Sequence, residues 1–373
     1  MKSNVDHRLM INTLLLVLTF FVLLNLFLTY DLRQEVAERV RLDALSRVPP
    51  MMELVVISDD SCVDCFNISP VVSQIKAMNV NLTKESVLQY GSDEARAQIE
   101  KYSVQSIPSV ILLGAPETFS LSGFKRTKDA LILSEVRPIY IDATTGQAKG
   151  RLEMTLINDP SCKGCFNIGI VAGQIKRLTS VRQEITLSSA SAQAKKLIAK
   201  YNITKLPALI LSEDTSVYAA IASEWANVGT VESDGMYVLR ELPPPYVDVA
   251  TGQVVGRVSV TYLTDVSCKA CYDVSIHKAV LAQLGIAPAI ESRMDVASAQ
   301  GKMLVAKYGI ESVPTVILSR DAKAFDVMSS VWEQVGTIES DGSYVFRNLG
   351  AIGGVTYHNL SSGAVQNATL PQQ

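Results

Sequence analysis

All six cysteines of this 373-residue chain fall into C-x-x-C pairs: Cys62/Cys65, Cys162/Cys165 and Cys268/Cys271. None is left over. Two sulfurs at this spacing support three chemistries: a structural staple, a pair of soft-metal ligands, or a redox couple that opens and closes. The spacing alone does not choose among them. Only three histidines occur, His7, His277 and His358. That scarcity weakens a Cys/His zinc site and any catalysis built on a cysteine–histidine pair.

The pairs are about a hundred residues apart, a period that suits whole domains. Their surroundings repeat too. "ISDDSC", "INDPSC" and "LTDVSC" each carry an aspartate three residues before the first cysteine (Asp59, Asp159, Asp265) and a serine directly before it. Phe66, Phe166 and Tyr272 follow the second cysteine. A second block comes about 45 residues later: "KYSVQSIPSVILL", "KYNITKLPALILS" and "KYGIESVPTVILS". A third, "WANVGTVESDGMYVLREL" and "WEQVGTIESDGSYVFRNL", occurs twice, with a divergent stretch in its place in the first copy. A fourth, "YIDATTGQAKGRL" and "YVDVATGQVVGRV", reads as the join between one domain and the next.

The third copy shows which elements would position the cysteines. "RVSVTYLT" is β-branched and aromatic, as in a buried strand, and runs straight into Asp265 and Cys268. "YDVSIHKAVLAQLG" has helical spacing and ends at Gly285. "APAIESRMD" suits a second strand. "SAQGKMLVAKYG" is a helix with Ser298 as its cap and Gly309 at its close. "VPTVILS" is a short apolar strand, and "ESDG" turns a hairpin. Strand–helix–strand, helix, strand and hairpin make a mixed α/β sheet flanked by helices.

Together these residues resemble the thioredoxin superfamily, over about 51–347, three times in succession. The resemblance is carried by C-x-x-C after the first strand and by the proline block at one fixed distance beyond it. It implies that Pro108, Pro207 and Pro314 are cis and sit beside the cysteines. It also implies that the residues before them, Ile107, Leu206 and Val313, lie along a substrate chain. The usual Trp-Cys-Gly-Pro-Cys is absent, the inner residues being Val63-Asp64, Lys163-Gly164 and Lys269-Ala270. The family's buried carboxylate, six residues before the first cysteine, is replaced by Val56, Leu156 and Tyr262.

On that reading Cys62, Cys162 and Cys268 are nucleophiles at a helix N-terminus, where free N–H groups and the macrodipole favour thiolate. Cys65, Cys165 and Cys271, deeper in the helix, resolve the mixed disulfide. Lys163 and Lys269 either favour thiolate further or simply point into water, and Asp64 disfavours it, so the first copy is expected to hold the weakest acid. The aspartate three before each pair shapes the turn or relays a proton, and the serine before the cysteine caps the helix. His277 reads as a surface or packing histidine, and the tryptophans Trp225 and Trp332 read as packing residues.

"LMINTLLLVLTFFVLLNLFLTY", 22 uncharged residues, rises about 33 Å as a helix, enough to cross a hydrocarbon core of about 30 Å. No small-residue cleavage site follows it, so a retained anchor is expected. The expected organisation is a short tail (1–8), a transmembrane helix (9–30), a helical linker (31–50), thioredoxin-like domains at 51–143, 144–249 and 250–349, and a C-terminal tail (350–373). The domains are expected in an extracytoplasmic compartment.

A net charge of −3 without a basic run gives nucleic acid little support. The expected partners are protein thiols and disulfides, a membrane or soluble redox partner, and membrane lipid through the N-terminal helix. No cofactor beyond the redox-active disulfides, and no metal, is expected. The function this implies is a membrane-anchored thiol–disulfide oxidoreductase or isomerase acting on exported proteins. A non-catalytic client-binding scaffold and a soft-metal-binding protein stay open beside it.

Overall fold

A computed structural model describes residues 19, 24–27, 29–41, 49–117, 119–127 and 129–368. Most of the expected span over 9–30 lies outside those residues. Among the described residues, no helix is long and apolar enough to cross a membrane. Residues 29–41 are helical.

The first module runs β1 (Met51–Ser58), α1 (Ser69–Lys76), β2 (Asn81–Gln89), α2 (Asp93–Tyr102), β3 (Ser106–Ile107), β4 (Ser109–Leu113), β5 (Phe124–Arg126), β6 (Ala130–Leu133), β7 (Tyr140–Asp142) and β8 (Ala148–Lys149). Its main sheet has the order β2-β1-β4-β6-β5. β1 lies parallel to β2 and antiparallel to β4, as a helical crossover followed by hairpins requires. β1 is apolar on both faces because both are covered. Leu54 and Val56 pack with Ile75 of α1, while Val55 and Ile57 pack with Ala95 and Tyr102 of α2. The same strand order recurs in sheets beginning at Leu152–Asn158 and at Ser259–Thr264.

The repeated blocks now acquire physical reasons. Ser92, Ser191 and Ser298 cap the second helix of their modules, each accepting a backbone N–H three residues on. Gly309 closes its helix in the left-handed conformation, φ +56°. The Lys-Tyr at each helix end grips an aspartate in the facing hairpin: Lys101 and Tyr102 on Asp129, Lys200 and Tyr201 on Asp234, Lys307 and Tyr308 on Asp341. The first module supplies that aspartate although its sequence there diverges. Trp225 and Trp332 are buried, each donating Nε1–H to a backbone carbonyl five residues on.

The fourth block is a β-hairpin folded back on its own module, not a join. β7 pairs with β8, and β7 also pairs antiparallel with β3, Ile107 opposite Ile141. The second module repeats this with Leu206 opposite Val247. A third copy lies in the expected tail, where Thr356–Asn359 and Ala364–Asn367 form the hairpin and Val313 stands opposite His358. Hence 144–149 belongs with the first module, 250–255 with the second, and most of 350–368 with the third. The chain divides into two compact units, 1–149 and 150–373. The first module lies in the first unit, and the other two lie in the second.

Candidate functional site

Each C-x-x-C pair is joined as a disulfide, with S–S distances of 2.03, 1.95 and 2.06 Å in chain order. All six cysteines are half-buried. The pairs do not open a helix. They occupy a turn in which Cys62, Cys162 and Cys268 each donate their N–H to the carbonyl of the aspartate three residues back, at 3.2 Å. The helices begin only at Ser69, Ile168 and Ile276. Asn67, Asn167 and Asp273 set this later start, because their side-chain oxygens accept the N–H two residues on, at 3.0 Å in all three. The macrodipole acts mainly within the first turn, so the first cysteine is removed from it. No cysteine lies within the helix.

The aspartates shape the turn. Asp59, Asp159 and Asp265 each accept, through Oδ1, the N–H of the serine two residues on, at 2.8, 2.8 and 2.9 Å. Those serines cap no helix. The Ser161 and Ser267 hydroxyls instead donate to the same carboxylates, at 2.5 and 2.6 Å. The Ser161 hydroxyl bond holds the Asp159 carboxyl below the usual carboxylate range. Burial pushes Asp265 up, but bonds from Ser267 and His358 outweigh it, and its carboxyl also sits low. Lys163 and Lys269 are exposed beside the disulfides. Val63 is 95% exposed, and Asp64 Oδ1 lies 3.7 Å from Cys62 Sγ.

The peptide bonds Ile107–Pro108, Leu206–Pro207 and Val313–Pro314 are cis, and all six residues are buried. They meet the cysteines. Cys62 and Cys65 pack against the cluster holding Ile107, and Cys162 and Cys165 against that holding Leu206. In the third module Cys271 Sγ lies 4.0 Å from the Val313 carbonyl oxygen. C-x-x-C after the first strand, a buried X–cis-Pro before the antiparallel central strand, and one strand order thus recur in triplicate. The chain carries three thioredoxin-like modules.

Comparison with known proteins gives the following. No family model matches the chain, and no curated protein does. Among solved structures, the alkylhydroperoxide reductase AhpF from Enterococcus faecalis is 15% identical, over 47% of this chain and 88% of that one, at a TM-score of 0.16. ERdj5 is 11% identical over 75% of this chain and 39% of its own, at 0.14. A protein disulfide oxidoreductase from Aeropyrum pernix is 14% identical over 46% and 77%, at 0.14. Likenesses this distant add no weight to the geometry of the modules themselves.

Two features of these thioredoxin-like sites escape the sequence reading. First, the edge of each pre-proline strand is already taken by the module's own hairpin, as the pairing of Ile107, Leu206 and Val313 shows. The hairpin is also tied to the C-x-x-C turn. The N–H of Phe66, Phe166 and Tyr272 donates to the carbonyls of Ile139, Pro245 and Thr356 at 2.7–2.9 Å. Second, the third site is more polar. His358 Nδ1 lies 2.5 Å from Asp265 Oδ2. The Tyr272 hydroxyl donates to the Pro314 carbonyl at 2.8 Å, so the His277 Nε2 3.1 Å from that hydroxyl carries the proton between them. Of the two readings of His277, surface or packing, packing holds: it is buried with its ring edge-on to Phe346. His358 was legible only by aligning "YHN" with "YID" and "YVD". Among the described residues, no cluster of three or more metal-ligating side chains occurs.

Proposed function

We propose that the chain is a membrane-anchored thiol–disulfide oxidoreductase or isomerase that acts on exported proteins through its three C-x-x-C sites. The observation that carries this reading is the half-buried disulfide set against a buried X–cis-Pro strand in every module. Cys62, Cys162 and Cys268 take the attack of a client thiolate. Cys65, Cys165 and Cys271 then depart as thiolates, and they return to resolve the mixed disulfide. When two client thiols are oxidised, the pair takes up two electrons and two protons. A membrane or soluble redox partner must then remove them. The pre-proline residues Ile107, Leu206 and Val313, with Pro108, Pro207 and Pro314, border the client. Its main chain reaches that strand edge only where the hairpin yields it. The segment 9–30 supplies the anchor and the contact with lipid, and the modules face an extracytoplasmic compartment.

The test is disulfide exchange by the full chain in detergent, with a reduced and a scrambled protein as substrates. Exchange is expected and should vanish when all six cysteines become serine. An inert wild-type chain that still captures unfolded clients would replace this reading with a scaffold.

A further inference from the structure

Deepening that reading, and resting on it, we propose that His358, oriented by Asp265, is the general acid and base that gives and takes back the proton of the third cysteine pair, so that the third module alone couples disulfide exchange to a histidine.

The hairpin copies make the comparison internal. His358 occupies the register position of Ile141 and Val247. Those aliphatic residues belong to the apolar clusters against which Cys62/Cys65 and Cys162/Cys165 pack. An imidazole therefore stands at the register position where the other modules place a hydrocarbon side chain of the cluster that carries their cysteines. It faces Val313, whose carbonyl oxygen is the atom 4.0 Å from Cys271 Sγ. Its carboxylate partner belongs to the residue whose carbonyl accepts the Cys268 N–H at 3.2 Å.

The surroundings are altered to receive it. In the second module the second oxygen of Asp159 accepts the Ser189 hydroxyl at 2.9 Å. The corresponding residue of the third module is Val296, which offers no hydroxyl, and His358 takes that oxygen instead. Asp265 Oδ1 is already occupied by Ser267. A carboxylate held ionised accepts only, so His358 Nδ1 is the donor. Nε2 is left to exchange a proton, as in other carboxylate-oriented imidazoles. The ring is partly open to a cavity of about 400 Å³ lined by Asp265, Ser267, Val296, Lys302 and Leu360. Asp265 in the turn after the strand Ser259–Thr264 and Lys302 on the helix Ala299–Tyr308 are the charged groups on that lining.

The step balances as follows. A client cysteine thiolate attacks Cys268 Sγ, and a new S–S bond forms as Cys268–Cys271 breaks. The electron pair leaves on Cys271 Sγ, and the imidazolium gives it the Nε2 proton, directly or through one water. Closure runs the other way. Opening is thus promoted by protonated His358 and closure by the neutral ring.

The experiment uses the full chain with Cys62, Cys65, Cys162 and Cys165 replaced by serine. Its remaining disulfide is opened by glutathione, and rates are corrected for the thiolate fraction of that thiol. The corrected rate should fall about tenfold or more as pH rises, through a single inflection. His358→Gln, which can still bond Asp265, should lose the inflection; its persistence there would overturn the proposal. Should the variants fail to fold, the converse decides. Val247→His with Ser189→Val, in a chain keeping only Cys162 and Cys165, should gain the inflection, and its absence counts against the proposal. A disulfide that exchanges at no pH sinks the proposed function and this inference with it. Exchange indifferent to residue 358 sinks this inference alone.

Discussion

At the scale of single residues, the three sites share a frame and differ in charge. Asp64 Oδ1 lies 3.7 Å from Cys62 Sγ, where the other modules carry Gly164 and Ala270. A unit charge at about 4 Å is worth about 1 kcal/mol in a water-like medium, about fivefold in thiolate fraction. Once reduced, Cys62 should therefore be alkylated more slowly at pH 7 than Cys162 or Cys268, and Asp64→Asn should speed it about fivefold. Mass spectrometry of timed iodoacetamide reactions reads this directly, and an unchanged rate in Asp64→Asn would refute it. His277 makes a different prediction. Burial pushes its imidazole down to about 4, against about 6.5 in an unfolded chain. Below about pH 6.5 the unfolded state takes up a proton that the folded state refuses. Stability of the third module should thus decline as pH falls toward 4, by on the order of 3 kcal/mol in all. His277→Phe removes the titrating group. Its urea-unfolding midpoint, followed from pH 7 to 4, should lack that component of the decline.

At the scale of elements, the hairpin after each main sheet is what most changes the picture of the site. It pairs with the pre-proline strand on one side and holds the N–H after the second cysteine on the other. Loosening it should weaken the module and uncover its disulfide together. Ile141 is 5% exposed within the cluster that also touches Cys62 and Cys65. Ile141→Ala should cost about 2–5 kcal/mol of the first module's stability. It should also make the Cys62–Cys65 disulfide the fastest of the three to be reduced by dithiothreitol. Lost stability with unchanged reduction kinetics would mean that the hairpin supports the fold without guarding the sulfurs.

At the scale of the whole molecule, under the proposed function, three sites on one chain would raise the local concentration of reactive sulfur around a client. Chains keeping one C-x-x-C pair each, mixed in equal amounts, offer the same number of sites unlinked. Wild type and the mixture should act equally on glutathione disulfide. Wild type should act several-fold faster on a client with several disulfides. Equal rates on both substrates would show that the modules work independently.

Much of this molecule is written in its sequence, because local physics fixes it. The triple repeat, the alternation of strands and helices, the Ser298 cap, Gly309 and the proline blocks depend on neighbours within a few residues, so periodicity and motif spacing reveal them. What stayed hidden depends either on a choice between competing local patterns or on partners far along the chain. Asn67, Asn167 and Asp273 delay the helices and leave the cysteines in a turn, a choice between two local bonding patterns that the spacing leaves undecided. The fourth block looks like a linker until its pairing with Ser106–Ile107 is seen, since strand partners are set by sheet closure and not by the strand's own composition. His358 stands 93 residues from Asp265, and only the folded hairpin brings one to the other. The sequence by itself determined that three sulfur pairs and three prolines share one repeated frame. Tertiary structure decided which charges and which strand edges surround each pair, because those neighbours are chosen by packing across the module.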